Sequence, residues 1–322
     1  MTLQQCWMEQ ILLDGLDQQP GAEMRWGSTV TGLHQAADRV TLSVSTADGP
    51  YEIEADFVIA ADGARGSVRR WCGLEFETPV SVPVSDRRFV ICDFQMKCDL
   101  PSGRRLWLDP PYQPGTIVIM HSQPFDSWRL DYAVEDGEDA EAEAAPERTK
   151  ERIARHLAMM GIDARWTLLW TSVYRPLARS LSTYRQGRIF FVGDAAHQTP
   201  IFGGRGLNIG YADVANLAWK LAYARRGFGG EALLDSYSSE RRAIVMEALE
   251  DLAQSTIFMT RPTPGVSLMR DAALSLSLTE PFVAELFDAY RARRGEALES
   301  PFVTDLTDVL NQADRDYCMA VC

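Results

Sequence analysis

The chain has 322 residues, of which 46% are hydrophobic and 24% are charged, and its formal net charge at pH 7 is −13. This composition is typical of one large or two medium globular domains. The negative charge argues against binding to nucleic acid or to anionic membrane surfaces. No segment approaches the roughly 18–20 consecutive apolar residues of a membrane-spanning helix.

Cysteine and histidine are few and scattered. The chain has six cysteines without a C-x-x-C pair and four histidines that are far apart. This spacing predicts no metal site and indicates reduced thiols, as expected for a cytoplasmic protein. The first residues, MTLQQCWMEQ, lack the basic segment of a signal peptide.

The first predicted elements are a helix and a group of strands. Thr2 and Gln5 have the spacing of a capping box, and apolar residues follow at helical intervals. We therefore predict a helix that is capped by Thr2 and ends near Gly15. Apolar alternation within 40–53, interrupted by Asp48–Gly49, predicts strands joined by a turn.

The middle of the chain is predicted to be rich in strands. The apolar run Phe57–Ala61 predicts a strand that is covered on both faces and ends at Asp62–Gly63. Between residues 78 and 175, short β-rich runs separated by turn residues predict a mostly antiparallel sheet. The acidic run 135–143 is predicted to be a solvated loop before a helix, on which His156 is expected to face solvent.

A second buried strand leads into a glycine-rich loop, VGDAAHQTPIFGGRGLNIG. The strand ends at Asp194, and a loop with Pro200 and several glycines precedes a helix. Helix N-termini leave backbone N–H groups unpaired, and glycine lets a ligand approach them. Gly204-x-Gly206 starts like a dinucleotide fingerprint, but position 209 is Ile and the loop is too long. The pattern predicts a cradle for an anion or dipole at the carboxyl edge of a parallel sheet.

The helix after this loop has an apolar stripe. Its members are Leu207, Tyr211, Val214, Leu217 and Leu221, and their spacing predicts that the stripe faces the core. Further helices are predicted to follow.

Long motifs resemble one family. GRIFFVGDAAHQTPIFGGRGLNIGYADVANLAWKL resembles the second FAD motif of the para-hydroxybenzoate-hydroxylase-like flavin monooxygenases. DFVIAADGARGSVRR resembles another internal motif of that family, and QQCWMEQIL resembles a helix whose Gln lies near the flavin. WLDPPYQPG and SWRLDYAV resemble the substrate-domain sheet of the branch similar to 3-(3-hydroxyphenyl)propionate hydroxylase. The resemblance runs over most of residues 2–265.

The resemblance implies an α/β fold. It comprises an incomplete FAD-binding Rossmann-like (glutathione-reductase-like) domain, an inserted antiparallel-sheet substrate domain and C-terminal helices. The expected parts are 1–78 (first FAD part), 79–176 (substrate domain), 177–262 (second FAD part) and 263–322 (C-terminal helical segment). The family's N-terminal G-x-G-x-x-G unit is absent from the sequence. We therefore expect an unfilled position, with unpaired backbone groups, beside the strands at 57–61 and 189–192.

The resemblance also implies site roles. Asp194 is expected to bind the ribityl chain, Leu207 and Asn208 are expected to present N–H groups to the flavin, and His197 is expected to orient the loop. The full expected set of cofactor-binding residues is Gln5, Asp62, Gly63, Gly193, Asp194, Ala195, Pro200, Gly203, Gly204, Gly206, Leu207 and Asn208. His121 and Tyr132 are candidates for catalysis or substrate contact, with packing in the sheet as the alternative.

The implied function is hydroxylation of a small aromatic, phenolic substrate with FAD, NAD(P)H and O₂, through a flavin C4a-hydroperoxide. One alternative is a truncated, non-catalytic fragment or a pseudoenzyme that does not bind FAD alone. Another is a related flavoprotein such as a reductase or a halogenase, although the sequence lacks W-x-W-x-I-P. A homodimer is left open.

Overall fold

The computed structural model describes residues 3–79, 87–135, 137–200, 206–260, 263–286 and 319–321. The strands are β1 (Thr29–Gln35), β2 (Val40–Thr46), β3 (Gly49–Ala55), β4 (Phe57–Ala60), β5 (Phe76–Glu77), β6 (Phe89–Met96), β7 (Arg104–Leu108), β8 (Ile117–Gln123), β9 (Ser127–Ala133), β10 (Trp166–Tyr174), β11 (Arg179–Leu181), β12 (Arg185–Gln186), β13 (Ile189–Phe191), β14 (His197–Gln198) and β15 (Met319–Val321). The helices are α1 (Gln5–Leu16), α2 (Val68–Trp71), α3 (Ala140–Glu143), α4 (Pro146–Met159), α5 (Gly206–Arg225), α6 (Gly230–Thr260), α7 (Pro264–Ser277) and α8 (Pro281–Leu286).

The chain forms two compact units. The first, the sheet unit, comprises Met1–Gln19, Val84–Pro176 and Ile257–Pro262. The second, the edge unit, comprises Pro20–Pro83, Leu177–Thr256 and Thr263–Cys322. The domain bounds expected from the sequence stay a prediction.

The sheet unit contains a five-stranded sheet in the order β10-β6-β9-β8-β7. All neighbouring strands in it are antiparallel, which confirms the prediction for this part of the chain. One face of the sheet packs its apolar residues with Ile153 and Leu157 of α4 into a buried core. This pairing suits α4, because its apolar residues recur at helical spacing on one side.

The end of the acidic run 135–143 differs from the prediction of a solvated loop. Its last four residues form α3, and Glu143 is buried. The Nε atoms of Arg148 and Arg152 donate to the Glu143 carboxylate at 2.7 and 3.0 Å. The loop prediction is wrong here because the acidic pattern alone predicts a solvent-exposed Glu143. Two arginines of α4 neutralise its charge, which allows the carboxylate to be buried.

The edge unit is built around a four-stranded sheet in the order β12-β13-β4-β15. β13 and β15 both run parallel to β4, whose residues Phe57, Val58 and Ala60 are buried. The prediction of a strand covered on both faces is confirmed. The expected unfilled position beside β4 is not found, because Met319–Val321 pairs with that edge.

Two smaller sheets complete the described part of the edge unit. β1, β2 and β3 form an antiparallel meander, with the turn between β2 and β3 at the predicted place. β11 pairs with both β14 and β5.

The stripe predicted on α5 is only half buried. Leu217 and Leu221 lie in the core, whereas Leu207, Tyr211 and Val214 are 44%, 37% and 50% exposed. The buried face of the helix is centred on Ile209, Asp213, Leu217 and Lys220. The prediction was therefore wrong for the N-terminal half, because the buried face includes a carboxylate and an ammonium group that a hydrophobic pattern does not count.

Helix α1 also differs in its start. Its N-cap residue is Gln4, no side chain caps it, and no residue of the helix is buried. Thr2, the predicted capping residue, lies outside the described residues. Across the described residues, no helix is both long enough and apolar enough to cross a membrane.

Candidate functional site

Two parallel strands of the edge unit bring their ends together. Phe191 of β13 is in register with Ala60 of β4, and the Val192 N–H donates to the Ala60 carbonyl at 3.1 Å. Asp62 and Asp194 each follow one of these strands by two or three residues. Both carboxylates therefore lie at the carboxyl edge of the sheet, the usual position of ligands in such folds.

The chain turns sharply after β13. Gly193–Ala195 forms a single 3₁₀ turn, and Gly193 has a φ of +56°, a conformation that favours glycine. A Cβ placed on Gly210 of α5 would lie 3.4 Å from the Gly193 Cα atom. The two glycines thus let the turn and the helix approach closely. Asp194 is exposed at this turn, whereas Ala195 is buried.

The N-terminus of α5 lies next to this turn. Gly206, Leu207 and Asn208 form its first residues, and a Cβ on Gly206 would be 2.9 Å from the Thr199 Oγ1 atom. The aligned peptide dipoles of a 20-residue helix favour negative charge at this end by about 0.3–2 kcal/mol. Pro200 is buried before the loop. The predicted site residues Gly203 and Gly204 lie outside the described residues.

The loop after β4 is held by Asp62 itself. Its Oδ2 atom accepts a hydrogen bond from the Val68 N–H at 3.0 Å, and Gly63 has a φ of +76°. A Cβ on Gly66 would lie 2.1 Å from the Asp62 Oδ1 atom. This Oδ1 atom is buried and has no hydrogen-bond partner among the residues that the structure describes. Asp62 therefore shapes its own loop and keeps one acceptor unused.

A buried cluster of charged and polar side chains contacts the Gly193–Ala195 turn. Asp213 of α5 is 0% exposed and is surrounded by His197, Arg241 and the Gly193 N–H. The sequence motifs predicted that His197 orients the loop but assigned no role to Asp213 or Arg241. The available signal was the position of Asp213 between Ile209 and Leu217, on the buried face of α5.

The remaining predicted site residues lie in the sheet unit. Gln5 is exposed in the first turn of α1. Tyr132 is 1% exposed, and its hydroxyl group donates to the Glu143 carbonyl at 3.0 Å. Burial raises the pKa of this phenol. The geometry thus gives Tyr132 the packing role that was the alternative to catalysis.

His121 belongs to the opposite face of the same sheet. Its Nε2 atom lies 3.3 Å from the Asp131 Oδ2 atom. On the neighbouring strands, Arg129 donates through Nε and a terminal nitrogen to both Asp93 oxygens at 2.8 and 3.0 Å. This polar face therefore carries two acid–base pairs side by side, since His121 is in register with Arg129.

His156 is buried, contrary to the predicted solvent-facing position. Its side chain is 0% exposed, and its Nδ1 atom lies 2.8 Å from the Tyr112 hydroxyl oxygen. The centroids of the Trp107 and His156 rings are 4.4 Å apart. Burial lowers the pKa of His156 to about 4. The prediction was wrong because α4 turns this position towards the sheet.

The edge site suits one half of FAD. Gly63 and Gly193 place no side chain at the two turns, α5 presents the positive end of its dipole, and Asp194 offers an exposed carboxylate. Carboxylates accept hydrogen bonds from sugar-alcohol hydroxyl groups, and a helix N-terminus stabilises an electron-rich ring edge. The buried, unpartnered oxygen of Asp62 adds another acceptor. These features match a ribityl chain and a flavin ring.

The chain is similar to known hydroxylases and monooxygenases. The chain is 34% identical over 281 residues to a 3-(3-hydroxy-phenyl)propionate/3-hydroxycinnamic acid hydroxylase of Burkholderia cenocepacia. The alignment covers 85% of this chain and 48% of that protein. It is 32% identical over 317 residues to a 12-dehydrotetracycline 5-monooxygenase/anhydrotetracycline 6-monooxygenase of Streptomyces rimosus, with 91% and 59% covered. The chain thus spans about half the length of the curated relatives it matches.

The fold is also found among solved structures. The p-nitrophenol 4-monooxygenase PnpA of Pseudomonas putida aligns with a TM-score of 0.70 at 24% identity, over 88% of this chain and 71% of that one. At this identity the likeness concerns the fold. The family model described as "FAD binding domain" matches residues 1–252. The resemblance inferred from the sequence motifs is thereby confirmed, and the chain belongs to the FAD binding domain family.

Proposed function

We propose that this chain is part of an FAD-dependent monooxygenase that hydroxylates a small aromatic, phenolic substrate with NAD(P)H and O₂. The family match supports FAD, and the relatives named above support an aromatic substrate. The four described cysteines Cys6, Cys72, Cys92 and Cys98 are free, which supports a reducing compartment such as the cytoplasm.

The observation that carries the proposal is the convergence of two strand ends and one helix N-terminus at a glycine-lined edge. Asp194 would hold the ribityl hydroxyl groups, and the first N–H groups of α5, at Leu207 and Asn208, would face the flavin. Asp62 with Gly63 would line the cofactor from the neighbouring loop.

The other assigned residues act through the backbone or complete the cradle. They are Gly193, Ala195, Pro200, Gly203, Gly204 and Gly206. Contact of Gln5 with FAD is a separate prediction from the family resemblance. When bound, FAD would take electrons from a nicotinamide and pass them to O₂. The chain's own contribution is to bind the cofactor and orient it and to keep water away from it.

We assign substrate contact to the polar face of the antiparallel sheet. This face combines apolar side chains, Ile91 and Ile119, with the pairs formed by His121 and Arg129. Aromatic rings require apolar contacts, and a phenol or carboxylate requires a few placed polar groups.

The test is turnover with isotopically labelled O₂. The FAD-loaded chain is given NADH or NADPH and a panel of phenolic acids, and the products are analysed by mass spectrometry. We expect labelled oxygen in the aromatic product and substrate-stimulated oxidation of the nicotinamide. A folded chain that retains no FAD and forms no labelled product would favour the non-catalytic alternative, and retention of FAD without any labelled product would contradict the proposed hydroxylation.

A further inference from the structure

The carboxylate of Asp213 ties three parts of the edge unit together. Its Oδ2 atom accepts the Gly193 N–H at 3.0 Å and lies 2.6 Å from His197 Nε2. Its Oδ1 atom accepts the Arg241 Nε–H at 2.7 Å. Asp213, His197 and Arg241 are 0%, 1% and 5% exposed. A buried carboxylate is tolerated when it is paired and hydrogen-bonded, and here donors meet both of its oxygens.

The contacts also define which nitrogen of His197 donates to Asp213. A carboxylate has only acceptors, so the nitrogen that faces it, Nε2, carries the proton and donates. The Nδ1 atom is buried and has no hydrogen-bond partner in the described part of the chain. His197 therefore contacts this cluster through its Nε2–H group, which donates to Asp213. Arg241 supplies the positive charge that balances the carboxylate.

The contact with Gly193 links this cluster to the candidate site. Gly193 directly precedes Asp194, and its φ of +56° belongs to a conformation that glycine adopts readily. Asp213 lies on α5, two turns after the first residues of that helix. One carboxylate thus holds the Asp194 turn against the helix whose N-terminus forms the other side of the site.

We propose that Asp213 is a positioning residue that holds the Gly193–Asp194 turn in register with the N-terminus of α5, and that its function is to present Asp194 to the cofactor. The effect on FAD rests on the proposed function, whereas the effect on the turn does not. Packing of α5 against α6 does not by itself require a contact with the turn. Another buried ion pair joins these two helices and does not contact the turn. In that pair, Lys220 Nζ donates to Glu240 Oε2 at 2.6 Å.

The test compares Asp213→Asn with Lys220→Met as the matched control. Asn replaces one acceptor oxygen by an NH₂ group, which would face a donor on whichever side it lies. We expect amide exchange of Gly193–His197, measured by mass spectrometry without cofactor, to rise about tenfold or more. We expect the FAD dissociation constant, measured by flavin fluorescence, to rise by a similar factor. Lys220→Met should lower the melting temperature without either change.

A second pair of variants applies if Asp213→Asn does not fold. His197→Gln keeps a nitrogen donor near the Nε2 position, whereas His197→Ala removes it. We expect faster exchange of the turn in His197→Ala and near-normal exchange in His197→Gln.

Unchanged exchange of the turn in folded Asp213→Asn would overturn the proposal. Equal loosening in Lys220→Met, at the same loss of melting temperature, would also overturn it. If the unchanged chain takes up no FAD, the proposed function fails, and the exchange comparison still decides the role of Asp213.

Discussion

Asp62 and Asp194 share one sheet edge but have different surroundings. Asp62 is held by the Val68 N–H and by the space that Gly66 leaves free, whereas Asp194 is exposed. A carboxylate that shapes its own loop is needed for the loop even without ligand. An exposed carboxylate at a buried turn has no such structural use, so Asp194 is the better position at which to test ligand binding.

We expect Asp194→Asn to weaken FAD binding about 10–100-fold, because hydrogen bonds to a charged group contribute about 1.5–3 kcal/mol. The melting temperature should change little, since the side chain is exposed. Isothermal titration with FAD measures the loss. Asp48→Asn, in the exposed turn between β2 and β3, is the control and should bind as the unchanged chain does. Equal FAD affinity of both variants would contradict the assigned role.

His156 predicts how stability depends on pH. Its pKa in the fold is about 4, below the ordinary 6.5. Between these values the unfolded chain binds more protons, so stability rises with pH through this window and is lost on acidification. The loss from pH 7 to pH 4 amounts to about 3 kcal/mol.

His156→Asn should make stability depend less on pH in this window, because the Asn carbonyl oxygen can accept a hydrogen bond from the Tyr112 hydroxyl group and Asn does not titrate. Urea unfolding at several pH values measures the slope. His34→Asn, at an exposed position of β1, should leave the slope unchanged. A profile of His156→Asn that is as steep as that of the unchanged chain would show that His156 does not cause the dependence.

At the scale of elements, the site depends on how β13 leads into its turn and how the turn meets α5. The left-handed conformation of Gly193 and its close approach to Gly210 allow this meeting. Another glycine, Gly227, has a φ of +81° just after the C-terminus of α5, with open space where its Cβ would be. An L-residue at either position would have a strained, left-handed backbone, but only Gly193 lies next to Asp194.

We expect Gly193→Ala and Gly227→Ala each to lower the free energy of unfolding by about 1–2 kcal/mol, the cost of a left-handed backbone for an L-residue. Only Gly193→Ala should also weaken FAD binding, because it shifts the turn that carries Asp194. Thermal unfolding and FAD titration of both variants separate the two effects. Loss of FAD affinity in Gly227→Ala to the same extent would mean that stability alone accounts for it.

At the scale of the whole molecule, some features could be predicted from the sequence. β4 and β13 were predictable because a continuous apolar run that ends in a carboxylate is typical of a buried parallel strand. The antiparallel sheet was predictable from its short alternating strands and turns.

Other features depend on partners that are distant in the sequence. The buried face of α5 includes Asp213 because Arg241 and Gly193 supply its donors, and the buried position of His156 depends on Tyr112 and Trp107. The pairing of Met319–Val321 with β4 joins segments about 260 residues apart. Local sequence patterns do not predict contacts between residues so distant in the chain.

We propose that the edge formed by β4, β13 and α5 binds the flavin half of FAD. The most direct measurement is an FAD titration of the chain in its present form, with removal of unbound cofactor, the visible spectrum of the retained flavin and circular dichroism of the same sample. We expect about one FAD retained per chain, with a visible spectrum that differs from that of free FAD. A chain that is folded by circular dichroism but retains no FAD would contradict the claim.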